Sequence, residues 1–374
     1  MKPMRIFFLA DGGSPHVIKW ARSLADSGAE IFIFGLHYFD PNLYSDYPLI
    51  HTHSFQDKGP ASKNVGCWSK MNYLFALKAV RQKLREFKPD ILHAHYASSY
   101  GLLGALSGFR PYFISVWGAD VYDFPTKSFI HKLLIKYNLR KAKAIFSTSH
   151  VMALQAQKFT DKPISVIPFG VDISKFHQVE TQGAPLTLGT IKALEDKYGI
   201  SYLLESFYLL KRDYSCTDIK LVIVGSGSKE EELKSLAHSL GIMEDTLFVG
   251  QVAVEEVPKY HQSLDITVFP SVLDSESFGV SVIEASSCGK PVVVTRKGGL
   301  VEVVDEDITG LIVPAHDSKA LAGAMYRLIN DKALRERMGS AGRKKVEDNY
   351  EWKHNFQLMM DEYSKEISTS LAKR

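Results

Sequence analysis

Short apolar runs alternate along this chain with longer stretches whose apolar residues recur every three to four positions. In the first half the runs fall at residues 5–10, 31–36, 90–95, 112–116, 144–147 and 165–167. Stretches with helical spacing lie between them, at residues 15–27, 70–87, 99–107, 128–140 and 150–159. Strand and helix taking turns in this way predicts a parallel sheet covered by helices on both faces. The rhythm restarts after Pro168-Phe169-Gly170-Val171-Asp172, with strands predicted at 186–190, 220–224, 246–249, 266–269, 291–295 and 310–313. Helical patterns separate these too, for example at 202–211 and 229–240. From Asp317 onward the pattern is mostly helical, with a break expected near Gly339.

The fold class expected is therefore α/β, with two doubly wound, Rossmann-like domains at 1–168 and 169–354. They join near residues 168–185, where Thr181-Gln182-Gly183-Ala184-Pro185 has the composition of a connecting loop. A closing helix over about 355–374 is expected to complete the first domain. Ligand is expected in the crevice between the domains, at the carboxyl ends of the strands.

Composition narrows this picture. A chain of 374 residues suits two domains of ordinary size. No stretch approaches the ~20 uninterrupted apolar residues that span a bilayer. The opening apolar run stops at Asp11-Gly12-Gly13, which reads as a buried strand rather than a signal peptide. Cys67, Cys216 and Cys288 are odd in number and lack metal spacing, so a reduced cytosol is the expected location. The net charge of +3 conceals a division: residues 1–170 hold 21 Lys and Arg against 11 Asp and Glu, and the remainder 24 against 31. No nucleic-acid motif accompanies the basic half, so an anionic membrane surface is the expected partner there rather than nucleic acid.

The chemistry concentrates at Glu276-Ser277-Phe278-Gly279-Val280-Ser281-Val282-Ile283-Glu284, between an apolar strand and an apolar helix. Ser277 is expected to start the helix and Gly279 to allow close backbone approach, leaving amides for phosphate or sugar oxygens. The two carboxylates, eight residues apart, are expected to stand about two helical turns, ~12 Å, apart along the axis, which suits two ends of one extended ligand. Alone, the pattern would read as two surface glutamates on an amphipathic helix.

Other segments alter that balance. Val166-Ile167-Pro168-Phe169-Gly170-Val171-Asp172 with Phe176, Gly189-Thr190-Ile191-Lys192 with Lys197-Tyr198-Gly199, Leu221 to Gly227, and Gly298-Gly299-Leu300-Val301-Glu302 follow in order. Together with the glutamates spaced E-x7-E they resemble glycosyltransferase family 4, retaining transferases of the GT-B fold. The resemblance implies a nucleotide-diphosphate-sugar donor, a glycan or glycolipid acceptor and hexosyl transfer without a required metal or other cofactor. It places Glu276 on the transferring sugar and Glu284 on the ribose. The amides of Phe278, Gly279 and Val280, beside Ser277, then face sugar and phosphate. Lys192 and Lys197 would converge on the diphosphate, whose charge grows as the glycosidic bond breaks. Lys192 stands where the family usually has Arg, keeping the charge without the bidentate fork.

In the first domain the resemblance puts donor phosphate and acceptor near Gly12 and Gly13. His16 beside them reads equally as a cleft residue or as a capping or packing histidine. The chain departs from the family at Ser115-Val116-Trp117-Gly118-Ala119-Asp120, where Trp117 replaces the His of "H-G-x-D". Trp cannot act as a base but can stack on a sugar. Asp120 does match and is expected near the reacting sugars, with His16, His93 or His95 supplying the missing contact. Two metal-like patterns are set aside: Asp305-Glu306-Asp307 reads as a solvated turn, and His51-Thr52-His53 and His93-Ala94-His95 lack a third ligand. Residues 127–141 form a basic amphipathic stretch similar to the membrane-touching helix of relatives that build lipid-linked glycans, and equally a core-facing helix with a basic outer side.

The reading that follows is a cytoplasmic retaining glycosyltransferase, peripheral on the inner membrane face, in exopolysaccharide, O-antigen, capsule or glycolipid synthesis. The alternatives are a nucleotide-sugar binder whose catalysis has lapsed, which Trp117 would explain, and a nucleotide-sugar epimerase on the same scaffold.

Overall fold

The computed structural model describes residues 3–56, 68–179 and 185–372. Cys67 and most of the expected connecting loop lie outside them. The chain forms two compact units, Met1–Ile167 with Phe356–Arg374, and Pro168–Asn355.

The first unit is built on seven parallel strands: β1 (Arg5–Leu9), β2 (Glu30–Gly35), β3 (Ile50–Ser54), β4 (Ile91–His95), β5 (Tyr112–Ser115), β6 (Ala144–Ser147) and β7 (Ser165–Val166). Their order in the sheet is β3-β2-β1-β4-β5-β6-β7. The helices α1 (Pro15–Asp26), α2 (Trp68–Phe87), α3 (Ser99–Ser107), α4 (Phe129–Lys141) and α5 (His150–Gln157) connect them. Because central parallel strands are covered on both faces, they read as continuous apolar runs: Ile6, Phe7, Phe8 and Leu9 are all fully buried.

The second unit repeats the plan. Its strands β8 (Leu186–Ile191), β9 (Ile219–Val224), β10 (Thr246–Gly250), β11 (Ile266–Phe269), β12 (Val292–Thr295) and β13 (Gly310–Val313) lie in the order β10-β9-β8-β11-β12-β13. Helices α6 (Ile200–Arg212), α7 (Glu230–Ser239), α8 (Val257–Ser263), α9 (Val280–Ser287), α10 (Leu300–Val303), α11 (Ser318–Asn330) and α12 (Lys332–Asn349) complete it. The last helix, α13 (Trp352–Ala372), carries the chain back to the first unit at Phe356. In each sheet the order reverses beside the first strand, at β1/β4 and at β8/β11, the switch points where open α/β sheets bind ligands.

Two expectations need correction. The strand β3 has no apolar run because it is an edge strand with only Ile50 buried; His51, dismissed as a metal-like residue, instead meets Glu30 at 3.0 Å. The helical stretch breaks at Asp331 and again at Tyr350 and Glu351, not at Gly339. Asp331 caps α12 by accepting from the Leu334 amide at 2.8 Å, whereas Gly339 lies inside the helix. Any side chain at Gly339 would strike the Gly289 carbonyl, so this glycine serves close packing rather than helix termination.

Candidate active site

In the second unit two loops meet beyond the β8/β11 switch point. Lys192 follows β8, and its amide donates to the Val224 carbonyl at 2.9 Å. A short helical turn, Asp196–Tyr198, then ends at Gly199, whose φ of 63° and contact with the Pro270 carbonyl exclude a side chain. The Lys197 carbonyl accepts from the Val272 amide at 2.8 Å, which ties this loop to the one leaving β11.

Glu276 lies in that second loop, and its carboxylate accepts from Lys192 Nζ at 3.0 Å with side chains only 8% and 14% exposed. Burial alone would lower the Lys192 pKa, but the charges of Glu276, Tyr198 and Glu284 outweigh it and hold the group above the ordinary lysine value. This ammonium stays charged. Lys197 Nζ sits 4.7 Å from the centre of the Tyr198 ring and Lys192 Nζ 4.6 Å, so one aromatic ring gathers both cations. Tyr198 carries no signal for this role in the sequence beyond its place next to Lys197.

The helix after Glu276 begins later than expected. Its N-cap is Gly279, with φ 98°, not Ser277, and no side chain caps it. Glu276 therefore precedes the helix and only Glu284 lies on it, so the two-turn spacing does not apply. Phe278 is 2% exposed and packs edge-on to Phe169 and Tyr350, leaving its main chain as its only means of meeting a ligand. Gly298 and Gly299 lie against the carbonyls of Glu276 and Ser277, and Gly299 N donates to Glu276 O at 2.8 Å. That close approach is what the paired glycines make possible. Glu284 is 20% exposed, with His261 Nε2 3.5 Å from its carboxylate.

In the first unit Gly12 lies beneath the Phe39 ring, and its carbonyl accepts from Tyr44 Oη at 2.7 Å. Gly13 donates to Asp11 Oδ1 at 3.1 Å, closing the turn into α1. The rings of His16 and His95 both meet Trp117, at 5.9 and 5.2 Å. His95 is 3% exposed, neither ring nitrogen has a hydrogen-bond partner, and burial pushes its pKa down to about 3, so the ring is neutral.

Two of the expected contact residues are engaged within the fold. Asp120 is fully buried and accepts from the amides of Ala97 at 2.6 Å, Trp117 at 3.1 Å and Gly118 at 2.8 Å. Its carboxylate organises the loop bearing Trp117. His93 is likewise spent, bonded to Tyr363 Oη at 2.6 Å and Ser115 Oγ at 2.8 Å with no exposure. The acidic turn is not merely solvated: Asp305, Glu306 and Asp307 each pair with a cation, Lys345, Arg296 and Arg327 respectively. Among the described residues no three His, Cys, Asp or Glu side chains gather as a metal site.

Comparison with known proteins matches residues 172–345 to the model of glycosyl transferases group 1 and residues 5–149 to that of glycosyl transferase 4-like proteins. A GDP-mannose-dependent alpha-(1-6)-phosphatidylinositol monomannoside mannosyltransferase of Mycolicibacterium smegmatis is 37% identical over 36% of this chain and 37% of its own. The chain thus matches well under half the length of that relative. A D-inositol 3-phosphate glycosyltransferase of Pseudarthrobacter chlorophenolicus is 26% identical over 95% of this chain and 90% of its own. The solved sucrose-phosphate synthase of Thermosynechococcus elongatus superposes with a TM-score of 0.85 at 20% identity, over 98% of this chain and 100% of its own, which establishes the GT-B fold. With the two models covering both units and the fold in agreement, the chain belongs to the glycosyl transferases of group 1.

Proposed function

We propose that this chain transfers a sugar, with retention of configuration, from a nucleotide-diphosphate-sugar to an acceptor hydroxyl. The observation that carries the reading is the buried Lys192–Glu276 pair with Lys197 on the same tyrosine ring. Burying an ion pair is costly, and its retention here fits a site that awaits a charged ligand. An incoming diphosphate competes with Glu276 for Lys192, which frees the carboxylate to orient the donor sugar. The uncapped first turn of α9 supplies amides for phosphate and sugar oxygens. Glu284 takes the ribose hydroxyls. As the bond from the anomeric carbon to phosphate breaks, its electron pair stays on the diphosphate, where the two lysines stabilise it. The acceptor oxygen bonds the same face of that carbon, and its proton passes to the departing phosphate oxygen. No step calls for a metal or other cofactor, so chelation is expected to leave turnover unchanged.

The acceptor, a glycan or glycolipid, is assigned to the first unit, where Trp117 offers a stacking surface backed by the His95 ring, with Gly12, Gly13 and His16 at the neighbouring turn. GDP-mannose dependence and inositol-based acceptors in the names of relatives support this class of donor and acceptor. We place the enzyme in the cytoplasm, at the inner membrane face, in cell-surface polysaccharide or glycolipid synthesis.

A thermal-shift screen of UDP, GDP and ADP with their sugars, followed by transfer assays, tests the reading. Glu276→Gln, which leaves Lys192 an oxygen to donate to, is expected to abolish transfer with the fold retained, and Lys192→Ala to reduce kcat by roughly 10²–10³-fold. Unchanged turnover in either variant removes its assigned role. Trp117 keeps one rival open: a lapsed enzyme would bind nucleotide sugar and release no sugar.

A further inference from the structure

His261 is a buried imidazole without an evident purpose. It is 0% exposed on the short helix α8, and neither ring nitrogen has a hydrogen-bond partner. The ionisable group beside it is Glu284, whose Oε2 lies 3.5 Å from His261 Nε2, just outside good hydrogen-bonding range. From another side Phe176 closes on it, ring centres 5.9 Å apart. That phenylalanine is held through its main chain: its carbonyl accepts from Ser287 Oγ at 2.6 Å and from Arg343 at 2.8 Å. Gln262, next to the histidine, donates to the carbonyls of Lys175 and His177 at 3.4 and 3.2 Å. The imidazole is thus wedged between a pinned segment and the helix that carries Glu284, with little freedom except along the line to the carboxylate.

We infer that His261, backed by Phe176, is a positioning residue that aims the Glu284 carboxylate at the ribose of the donor. The inference rests on the donor reading above. A carboxylate accepting from a vicinal diol must hold one rotamer; a second donor on its far oxygen supplies that constraint, and closing the gap of 3.5 Å takes only a small rotation. The same contact gives the Phe176 of the domain-entry motif a role: it backs the ring.

The test uses the full chain and whichever of UDP, GDP or ADP the wild type binds, together with the 2′,3′-dideoxy form of that nucleotide. His261→Leu is expected to weaken the natural nucleotide about tenfold, the size usual when support behind a ligand-holding group is lost. It should scarcely move the dideoxy form, which has no diol for Glu284 to hold. His261→Gln, which keeps a donor, should recover most of the loss. In turnover the donor KM should rise by the same factor with kcat and acceptor KM unmoved. Should His261→Leu not fold, wild-type protein with ¹⁵N-labelled histidine serves instead: the natural nucleotide should shift the His261 ring signal, identified with His261→Gln, and the dideoxy form should not. Equal weakening of both nucleotides, no weakening of either, or no difference in the ring signal overturns the inference while leaving the donor reading in place. Wild-type protein that binds none of the three nucleotides overturns both.

Discussion

Several ionisable side chains in this molecule have their pKa moved by their surroundings, and each case has a local cause. Lys192 is kept charged against burial by the anions around it, while His95 is kept neutral because nothing around it compensates. The second case has a measurable consequence. The folded-state pKa of His95 is depressed to about 3, so an unfolded chain binds a proton there below about 6.5 that the folded chain refuses. Its stability contribution is complete above that value and is lost as pH falls. Denaturant unfolding between pH 7 and pH 4 should therefore show wild-type stability dropping with acid. His95→Phe, an aromatic replacement facing Phe8 and Trp117, should make the slope shallower by about 1.4 kcal/mol per pH unit. An unchanged slope would mean that His95 takes up protons in the folded state. His93 contributes in the same direction, lowered well below the usual value by burial and by its neighbour His95.

At the scale of elements, glycine decides how closely backbone meets backbone around the site. The family-like motifs in the second unit are largely such contacts. Gly225 and Gly227 lie on the carbonyls of Lys192 and Leu194, Gly199 on that of Pro270, and Gly298 on that of Glu276. Away from the site, Gly339 makes a prediction with a contested sign. In an exposed helix Gly→Ala stabilises by about 1 kcal/mol. Here a methyl would strike the Gly289 carbonyl, and overpacking of that kind costs about 1–3 kcal/mol. Gly339→Ala should lower the melting temperature, and a rise would show that α12 yields freely at Gly289. Sequence reasoning took this glycine for a helix break because periodicity along one segment carries no information about what packs on it. It placed Glu276 on the helix for the same reason: the N-cap at Gly279 depends on a backbone angle that only the assembled loops impose.

Over the whole molecule, part of the basic excess of the first half surrounds an exposed apolar patch. On α4, Phe129, Ile130 and Leu133 are 73%, 67% and 48% exposed, and Lys127, Lys132, Lys136 and Arg140 are exposed around them. No helix among the described residues is long and apolar enough to cross a membrane, so a lipid contact here would be superficial. The full chain should co-sediment with vesicles of mixed phosphatidylglycerol and phosphatidylcholine and not with phosphatidylcholine alone. Phe129→Glu with Ile130→Glu should reduce the bound fraction several-fold without changing the melting temperature, and equal binding of this variant would remove α4 as the contact.

Two parallel sheets wound on both sides could be read from the alternation of apolar runs and helical spacing, because strands buried on both faces must be apolar throughout. The ordered glycine, lysine and glutamate motifs were legible through their resemblance to a known family, since the contacts they make join separate loops. What the amino acids could not disclose in one dimension was which groups are already occupied. Asp120 and His93 look available as letters, yet both are engaged by partners 2 to 270 residues away. His261 and Tyr198, which look like filler, stand against Glu284 and the two lysines. Only packing decides such matters, because a side chain's chemistry is set by what desolvates it and what it bonds, and those neighbours come from distant parts of the chain.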